Sequence, residues 1–389
     1  MIKRHLSNTL VNAAGQFPIV TITGPRQSGK TTLIKAQFPD YDYLNFEELD
    51  IREWASSDPR NFLKQYRKYV IFDEVQRSPE LFSYLQTVAD NDNLQGQFIL
   101  SGSHSFLLNE KISQSLAGRV AVLNLLPFSF SELKNTEHGR NELNDYLFKG
   151  FYPRIYDQGI DTDLFYNSYL RTYVERDVRS IKNISNLSDF SRFLKLCAGR
   201  TGQLLNLSSL ATDAGISVNT AKTWISVLEQ SFVVFLLKPF HKNFNKRLVK
   251  MPKLYFYDTG LLCSLLEIEN SNQLNTHYLR GSIFENFILN ELLKTRLNKG
   301  KNPNLYFWRN NHGNEIDCII EKPEKPVALE IKSGETLTKD FLTGLNYWKK
   351  LTGKKDEQSY LVYGGEISRQ IDEVMLTSWK DMDNWIPVS

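Results

Sequence analysis

Cysteine is scarce in this 389-residue chain: Cys197, Cys263 and Cys318 are odd in number and far apart, which argues against a disulfide framework and a zinc centre. The six histidines are scattered and set no metal-ligand spacing. No stretch of eighteen apolar residues occurs, so no membrane-spanning helix is expected. The N-terminus carries Lys3 and Arg4 but lacks the apolar block of an export signal. Charge excess is missing too: 47 Lys and Arg against 44 Asp and Glu leave a net charge of +3. Any nucleic-acid partner must therefore be argued from local clustering and not from bulk charge. There is no internal repeat and no low-complexity tract. What remains is an ordinary soluble composition, 41% hydrophobic and 23% charged. The length suits roughly two to four domains. A reducing cytoplasm is the expected compartment.

The residues Gly24-Pro25-Arg26-Gln27-Ser28-Gly29-Lys30-Thr31 fit the pattern G-x-x-x-x-G-K-[ST]. They lie between a β-branched run, Ile19 to Thr23, and a helical stretch that begins at Thr32. Glycines let such a loop curl until its N–H groups point at the phosphates of a nucleotide. Lys30 adds a mobile charge, the Thr31 hydroxyl can ligate Mg²⁺, and the dipole of the following helix favours anions. The run Tyr69-Val70-Ile71-Phe72 ends in Asp73-Glu74, as the Walker B strand of a P-loop ATPase does. Ligands sit at the carboxyl ends of parallel strands, so Asp73 is expected beside Thr31 holding Mg²⁺, with Glu74 placed to polarise the attacking water. An acidic pair closing any buried strand satisfies the second pattern equally. A third apolar strand, Gln97 to Leu100, offers Ser101 at the same rim as a ligand to water or γ-phosphate, although small polar residues after strands often serve as turn formers.

Up to about residue 135 apolar strands alternate with helical segments, the pattern of a mostly parallel sheet covered by helices. The reading is an α/β chain in four parts: residues 1–135 a nucleotide-binding core, 136–185 a helical lid broken at Gly150-Phe151-Tyr152-Pro153, 186–268 a winged helix-turn-helix, and 269–389 a C-terminal α/β domain. In the third part, Leu207 to Ala214 and Val218 to Leu228 read as two helices around Gly215-Ile216-Ser217, with Ser208 and Ser217 as N-caps. Asn219, Thr220, Lys222 and Thr223 would be presented to a major groove. Lys238, Lys242, Lys246, Arg247, Lys250 and Lys253 follow with no acid among them, a candidate basic wing for phosphate contacts. The same elements also suit a packing or protein-docking module.

Near the C-terminus, Asn314 to Ile320 and Val327 to Lys332 form a hairpin-like pair around a Pro-containing turn. Alternation puts Glu330 and Lys332 on one face, with Asp317 on the neighbouring strand. Two close carboxylates can hold Mg²⁺, and a lysine beside them can position or deprotonate water for attack on a phosphodiester; Glu285 would complete the set. Simple pairing of these charges at a sheet edge is the alternative.

Taken in order, these motifs resemble a family of bacterial and archaeal proteins with an AAA-type P-loop ATPase domain, a winged-helix region and a C-terminal PD-(D/E)XK nuclease-like domain. The resemblance rests on Ile22 to Leu33, Phe72 to Gln76, Leu100 to Ser103, Leu116 to Val120, Leu126 to Glu132, Tyr173 to Asp177, Pro252 to Leu261 and Gly281 to Asn286, and it covers nearly the whole chain. It implies nucleotide contacts along Gly24 to Thr32, roles for Lys30, Thr31, Asp73 and Glu74 as above, and Arg119 as a trans-acting or sensing arginine. Such an arginine contributes about 10³–10⁵ in turnover. It also matches Asp317, Glu330 and Lys332 to a D…ExK core, with Ile316 where proline often precedes the acid. The expected function is an ATP- and Mg²⁺-dependent ATPase that binds DNA, with two points left open: whether the nuclease-like site cuts or only binds, and whether the chain acts as a homo-oligomer. The competing expectation is a nucleotide-dependent switch that docks a protein partner.

Overall fold

The computed structural model describes residues 2–103, 115–140, 142–174, 187–240, 249–323, 325–353 and 359–387. Strands β1 (Ile19–Thr23), β2 (Asp42–Asn45), β3 (Val70–Asp73), β4 (Phe98–Gly102) and β5 (Val120–Asn124) form a parallel sheet in the order β2-β3-β4-β1-β5. Every residue of β1, β3 and β4 is buried, because helices cover both faces and leave no solvent side for polar alternation. Strand alternation splits the apolar residues into two cores. Val20, Ile22, Ile71 and Ile99 pack under the helices Leu6–Ala14 and Lys30–Gln37, while Ile19, Val70, Phe72 and Phe98 face the other way with Phe46, Phe62 and Phe82. On that second face Phe72 stacks on Phe98 with ring centroids 5.6 Å apart. The carboxyl ends of β1, β3 and β4 therefore meet at one rim.

The rest of the chain packs around a smaller core with Trp308, Leu345, Trp348 and Leu361, and a large one running from Leu126 to Ile386. Its axis is the helix Arg280–Asn298, whose apolar residues are buried around nearly its whole circumference, as expected of a central helix. From this helix Glu291 accepts the Phe130 amide at 2.7 Å and Lys294 donates to the Phe128 carbonyl at 2.8 Å. The link out of the first sheet is thus clamped by a C-terminal helix. Strands β6 (Val234–Pro239), β7 (Lys253–Phe256), β8 (Leu305–Arg309), β9 (Glu315–Ile320), β10 (Val327–Lys332), β11 (Ser359–Tyr363), β12 (Arg369–Ile371) and β13 (Val374–Ser378) form the second sheet, ordered β12-β13-β11-β10-β9-β8-β6-β7. The β6–β7 hairpin belongs to this sheet through parallel pairing of β6 with β8 at Lys238↔Tyr306. The expected boundary at 268/269 is therefore crossed by continuous strand pairing.

The helices Leu187–Ala198, Leu207–Ala214 and Val218–Gln230 precede that hairpin. Ser217 caps the last of them, its hydroxyl accepting the Thr220 amide at 3.0 Å. Ser208 does not cap its helix. Asn206 does, accepting the Ser209 amide at 3.1 Å, because the helix begins at Leu207 and leaves Ser208 inside the first turn. In the segment expected to form a lid, Pro153–Asp157 and Thr162–Tyr169 are short helices, and the regular turns of the second give way to a π-helical turn at Leu170–Val174.

Candidate nucleotide site and a C-terminal charge cluster

Gly24 leaves β1 with φ of +150°, and a Cβ there would lie 2.1 Å from the Leu125 carbonyl oxygen. Only glycine permits that approach. Gly29, at φ +90°, ends the loop as the N-cap of the Lys30–Gln37 helix. The Lys30 side chain is buried and its Nζ donates to the carbonyls of Gly24 at 3.0 Å and Pro25 at 2.8 Å, so its charge is held within the loop it closes. The Ser28 hydroxyl is buried in the same loop without a hydrogen-bond partner.

The acidic strand end meets this loop although β4 separates β3 from β1. Asp73 Oδ2 accepts from Thr31 Oγ1 at 2.7 Å and from the Tyr43 hydroxyl at 2.8 Å, and Oδ1 accepts from the Ser101 hydroxyl. Burial, and then the Asp73 charge, raise the Tyr43 hydroxyl above its ordinary range, so it remains a donor. Glu74 stands at φ +54°, a left-handed backbone that a non-glycine residue adopts at a cost. Its Oε2 accepts from Gln76 Nε2 at 2.5 Å and from Ser103 Oγ at 3.1 Å, which fixes the carboxylate at the rim. A hydroxyl and a carboxylate side by side suit a hard divalent cation, and the glycine cradle suits a phosphate chain. Magnesium and a nucleoside triphosphate fit the residues present.

A cleft of about 430 Å³ opens over this rim, lined by Lys30, Thr31 and Glu74 on one side and by Pro153, Arg154 and Gln158 on the other. Arg154 and the lid wall were not picked out from the sequence; the arginine after the Gly-Phe-Tyr-Pro break was the available signal. Arg4 was noted only as a terminal charge, yet it is 7% exposed and clamps the loop from behind. It donates to the Ser28 carbonyl at 2.7 Å, to the Leu126 carbonyl at 2.6 Å and to Glu132 at 3.2 Å.

Arg119, expected as a trans-acting or sensing arginine, stands outside the cleft of its own chain. It precedes β5, at the amino end of the sheet, about 16 Å of strand from the loop at β1's carboxyl end. Its guanidinium pairs with Asp90. Within one chain it does not reach the cleft.

The second expected site assembles with a different chemistry. Lys332 Nζ contacts Glu330 at 2.7 Å and Asp317 at 3.2 Å, and the Ile331 amide donates to Asp317 at 2.8 Å. Lys253, arriving from β7, contacts Glu285 at 3.1 Å and also Glu315, while the Tyr255 hydroxyl donates to Glu285 at 2.5 Å. Burial alone would lower the Lys253 ammonium, but Glu285, Glu315 and Asp317 outweigh it and keep the lysine charged far above neutrality. Burial and the neighbouring Asp317 push Glu330 up to about 9, so it is protonated at neutral pH and shares a hydrogen bond with the Asp317 carboxylate. The acids expected to form a metal set, Glu285, Asp317 and Glu330, are thus brought together with two lysines among them: Lys332 against Glu330 and Asp317, and Lys253 against Glu285. Among the described residues no group of three or more His, Cys, Asp or Glu side chains is arranged to hold a metal ion.

The helix Val218–Gln230 turns Ala221, Trp224, Ile225 and Leu228 inward and leaves Asn219 and Lys222 exposed. Lys238 and Lys250 are described, Lys253 is buried in the charge cluster, and Lys242, Lys246 and Arg247 lie outside the described residues, as do Glu175 to Asp177. No helix among the described residues is long and apolar enough to cross a membrane.

Three family models match successive parts of the chain: an AAA domain over residues 16–134, a domain of unknown function (DUF8612) over 140–272, and a domain of unknown function (DUF4143) over 280–382. Uncharacterized protein Rv2008c of Mycobacterium tuberculosis and Uncharacterized protein Mb2031c of Mycobacterium bovis are each 30% identical over 335 residues, covering 86% of this chain and 74% of the relative. Among solved structures, the Walker-type ATPase paby2304 of Pyrococcus abyssi aligns with a TM-score of 0.40 and 14% identity, over 68% of this chain and 96% of its own. AMPPCP-bound DnaA from Aquifex aeolicus aligns with a TM-score of 0.30 and 16% identity, over 58% of this chain and 86% of its own.

Proposed function

This chain belongs to the same family as the two mycobacterial proteins and carries an AAA domain, and from that premise we propose that it binds ATP with Mg²⁺ and hydrolyses it. The observation that carries the reading is the 2.7 Å contact of Thr31 with Asp73 beside a glycine-bounded loop that holds Lys30. Thr31 and Asp73 would hold Mg²⁺, which supplies charge neutralisation at the phosphate oxygens when bound. Main-chain N–H groups of Arg26 to Thr31 grip the phosphate chain, and Lys30 exchanges its two carbonyl partners for phosphate oxygen. Glu74, steadied by Gln76 and Ser103, orients the attacking water. Ser101 acts one step back, by holding Asp73.

The test is steady-state hydrolysis paired with a binding assay. Glu74→Gln should keep nucleotide affinity while turnover falls about 10²–10⁴-fold. Turnover unchanged in that variant would refute the assignment.

A DNA contact is favoured by the exposed Asn219 and Lys222 on the second helix of the capped pair, next to the β6–β7 hairpin. That order of elements supports a winged-helix reading and, with it, binding to duplex DNA through that helix. Affinity should fall steeply with salt and weaken in Lys222→Glu. Absence of any gel shift at low salt would favour the docking of a protein partner instead. The C-terminal cluster, with its lysines paired to its acids, supports a structural role for that domain more than strand cleavage.

A further inference from the structure

Pro153 and Arg154 open a five-residue helix, too short to hold its own place against the phosphate loop. Something else must fix the turn that delivers them. Gly150 stands at φ +65°, and a Cβ there would fall 2.4 Å from Asp258 Oδ1 and 2.2 Å from the Tyr166 hydroxyl. The turn thus lies directly on a carboxylate. Asp258 is 1% exposed. Its Oδ2 accepts the Phe151 amide at 2.8 Å, and its Oδ1 accepts the Leu261 amide at 2.9 Å and the Tyr166 hydroxyl at 2.7 Å. The Leu261 bond is an ordinary cap of the helix Thr259–Leu265. The Phe151 bond is not required by that cap; it spans 107 positions of sequence to reach the lid. A buried carboxylate is a costly choice for capping alone when neutral caps exist.

We infer that Asp258 is a positioning residue of the nucleotide site: it fixes the Gly150–Tyr152 turn so that Pro153 and Arg154 face the phosphate loop. The inference rests on the nucleotide reading above. The same residue follows β7 by two positions, and β7 begins at Lys253 in the C-terminal charge cluster. One short segment therefore touches the lid of the cleft at one end and the acid–lysine cluster at the other.

Asparagine separates the two jobs of Asp258. Asp258→Asn retains an oxygen for the Leu261 amide and the Tyr166 hydroxyl, but sets an NH₂ group against the Phe151 N–H. The turn keeps its bonds from Tyr156 to the Gly150 carbonyl and from the Phe128 amide to the Phe151 carbonyl but loses the one at the Phe151 N–H, so the cleft-competent arrangement becomes less populated and the dissociation constant for MgATP should rise about tenfold. Tyr166→Phe removes a hydroxyl that touches both Asp258 and, at 3.0 Å, the Lys149 carbonyl beside the turn, but it leaves the Phe151 bond, so it should raise that constant by clearly less than Asp258→Asn does. Arg154→Ala should weaken binding, and its loss combined with Asp258→Asn should be smaller than the product of the two, because both act through one side chain. Affinity of Asp258→Asn equal to the parent protein, fully multiplicative losses, or an equal loss in Tyr166→Phe would overturn the proposal.

Should Asp258→Asn fail to fold, hydrogen exchange on the unaltered protein decides. MgATP should slow exchange in peptides covering residues 148–156 and 256–262 together. Unchanged exchange in both, with nucleotide bound, would overturn the inference. Failure of the unaltered protein to bind MgATP at all would instead sink the nucleotide reading.

Discussion

Glu330 makes the C-terminal cluster a measurable source of pH dependence. Its carboxyl is 3% exposed and pushed up to about 9 by burial and by Asp317, from an ordinary value of 4.5. Between those values the folded chain holds a proton that the unfolded chain has released, so stability falls as pH rises. Each pH unit costs at most tenfold in the folding equilibrium, which over pH 5 to 9 is a ceiling of about 5 kcal/mol. The neighbours do not cancel it in that window. Asp317 is held below its ordinary 3.8 by Lys332 and Lys253, which outweigh its burial, and Lys332 and Lys253 are themselves held above 10.5. Glu330→Gln keeps the shape of the protonated acid: its oxygen can accept from Lys332 and its NH₂ can donate to Asp317. Urea unfolding at pH 5 should therefore find the two proteins close in stability. At pH 9 the glutamine variant should be the more stable, by several kcal/mol but under that ceiling. Parallel pH profiles for the two proteins would refute the protonated, shared carboxyl.

Other consequences are equally direct. Arg4→Met should destabilise by about 3 kcal/mol, because Glu132 would stay buried after losing its cation; an unchanged urea midpoint would contradict the clamp. Ser217→Ala should cost about 1 kcal/mol through the lost Thr220 cap, whereas Ser208→Ala, inside its first turn, should stay within about 0.5 kcal/mol. Equal losses in the two serine variants would contradict the cap assignment.

The phosphate loop and the Asp73-Glu74 strand end were legible because phosphate and metal chemistry dictates contiguous residues, and the sheet then brings the two segments to one rim. The Ser217 cap was legible for the same reason: a cap is local. Arg4 was not, since its partners lie 24 to 128 positions away and no pattern in the N-terminal segment announces them. The distance of Arg119 from its own chain's cleft was legible too, whereas a trans-acting role concerns a second copy of the chain. A residue just before a parallel strand lies at the rim opposite the ligand, which the strand pattern itself implied. For Asp317, Glu330 and Lys332 alternation placed the three side chains together, but the meaning of the cluster turns on Lys253. That lysine enters from a strand read as part of a basic wing, and only the pairing of β6 with β8 carries it there. Long-range sheet pairing of this kind has no local sequence signature.

The central claim is a nucleotide held by the Gly24–Thr31 loop with its magnesium between Thr31 and Asp73. Isothermal titration of the purified chain with ATP in magnesium buffer tests it most directly. The account predicts saturable one-site heat that disappears in Lys30→Ala and weakens sharply when magnesium is chelated. Heat that persists unaltered in Lys30→Ala, or no heat from the unaltered chain, would contradict it.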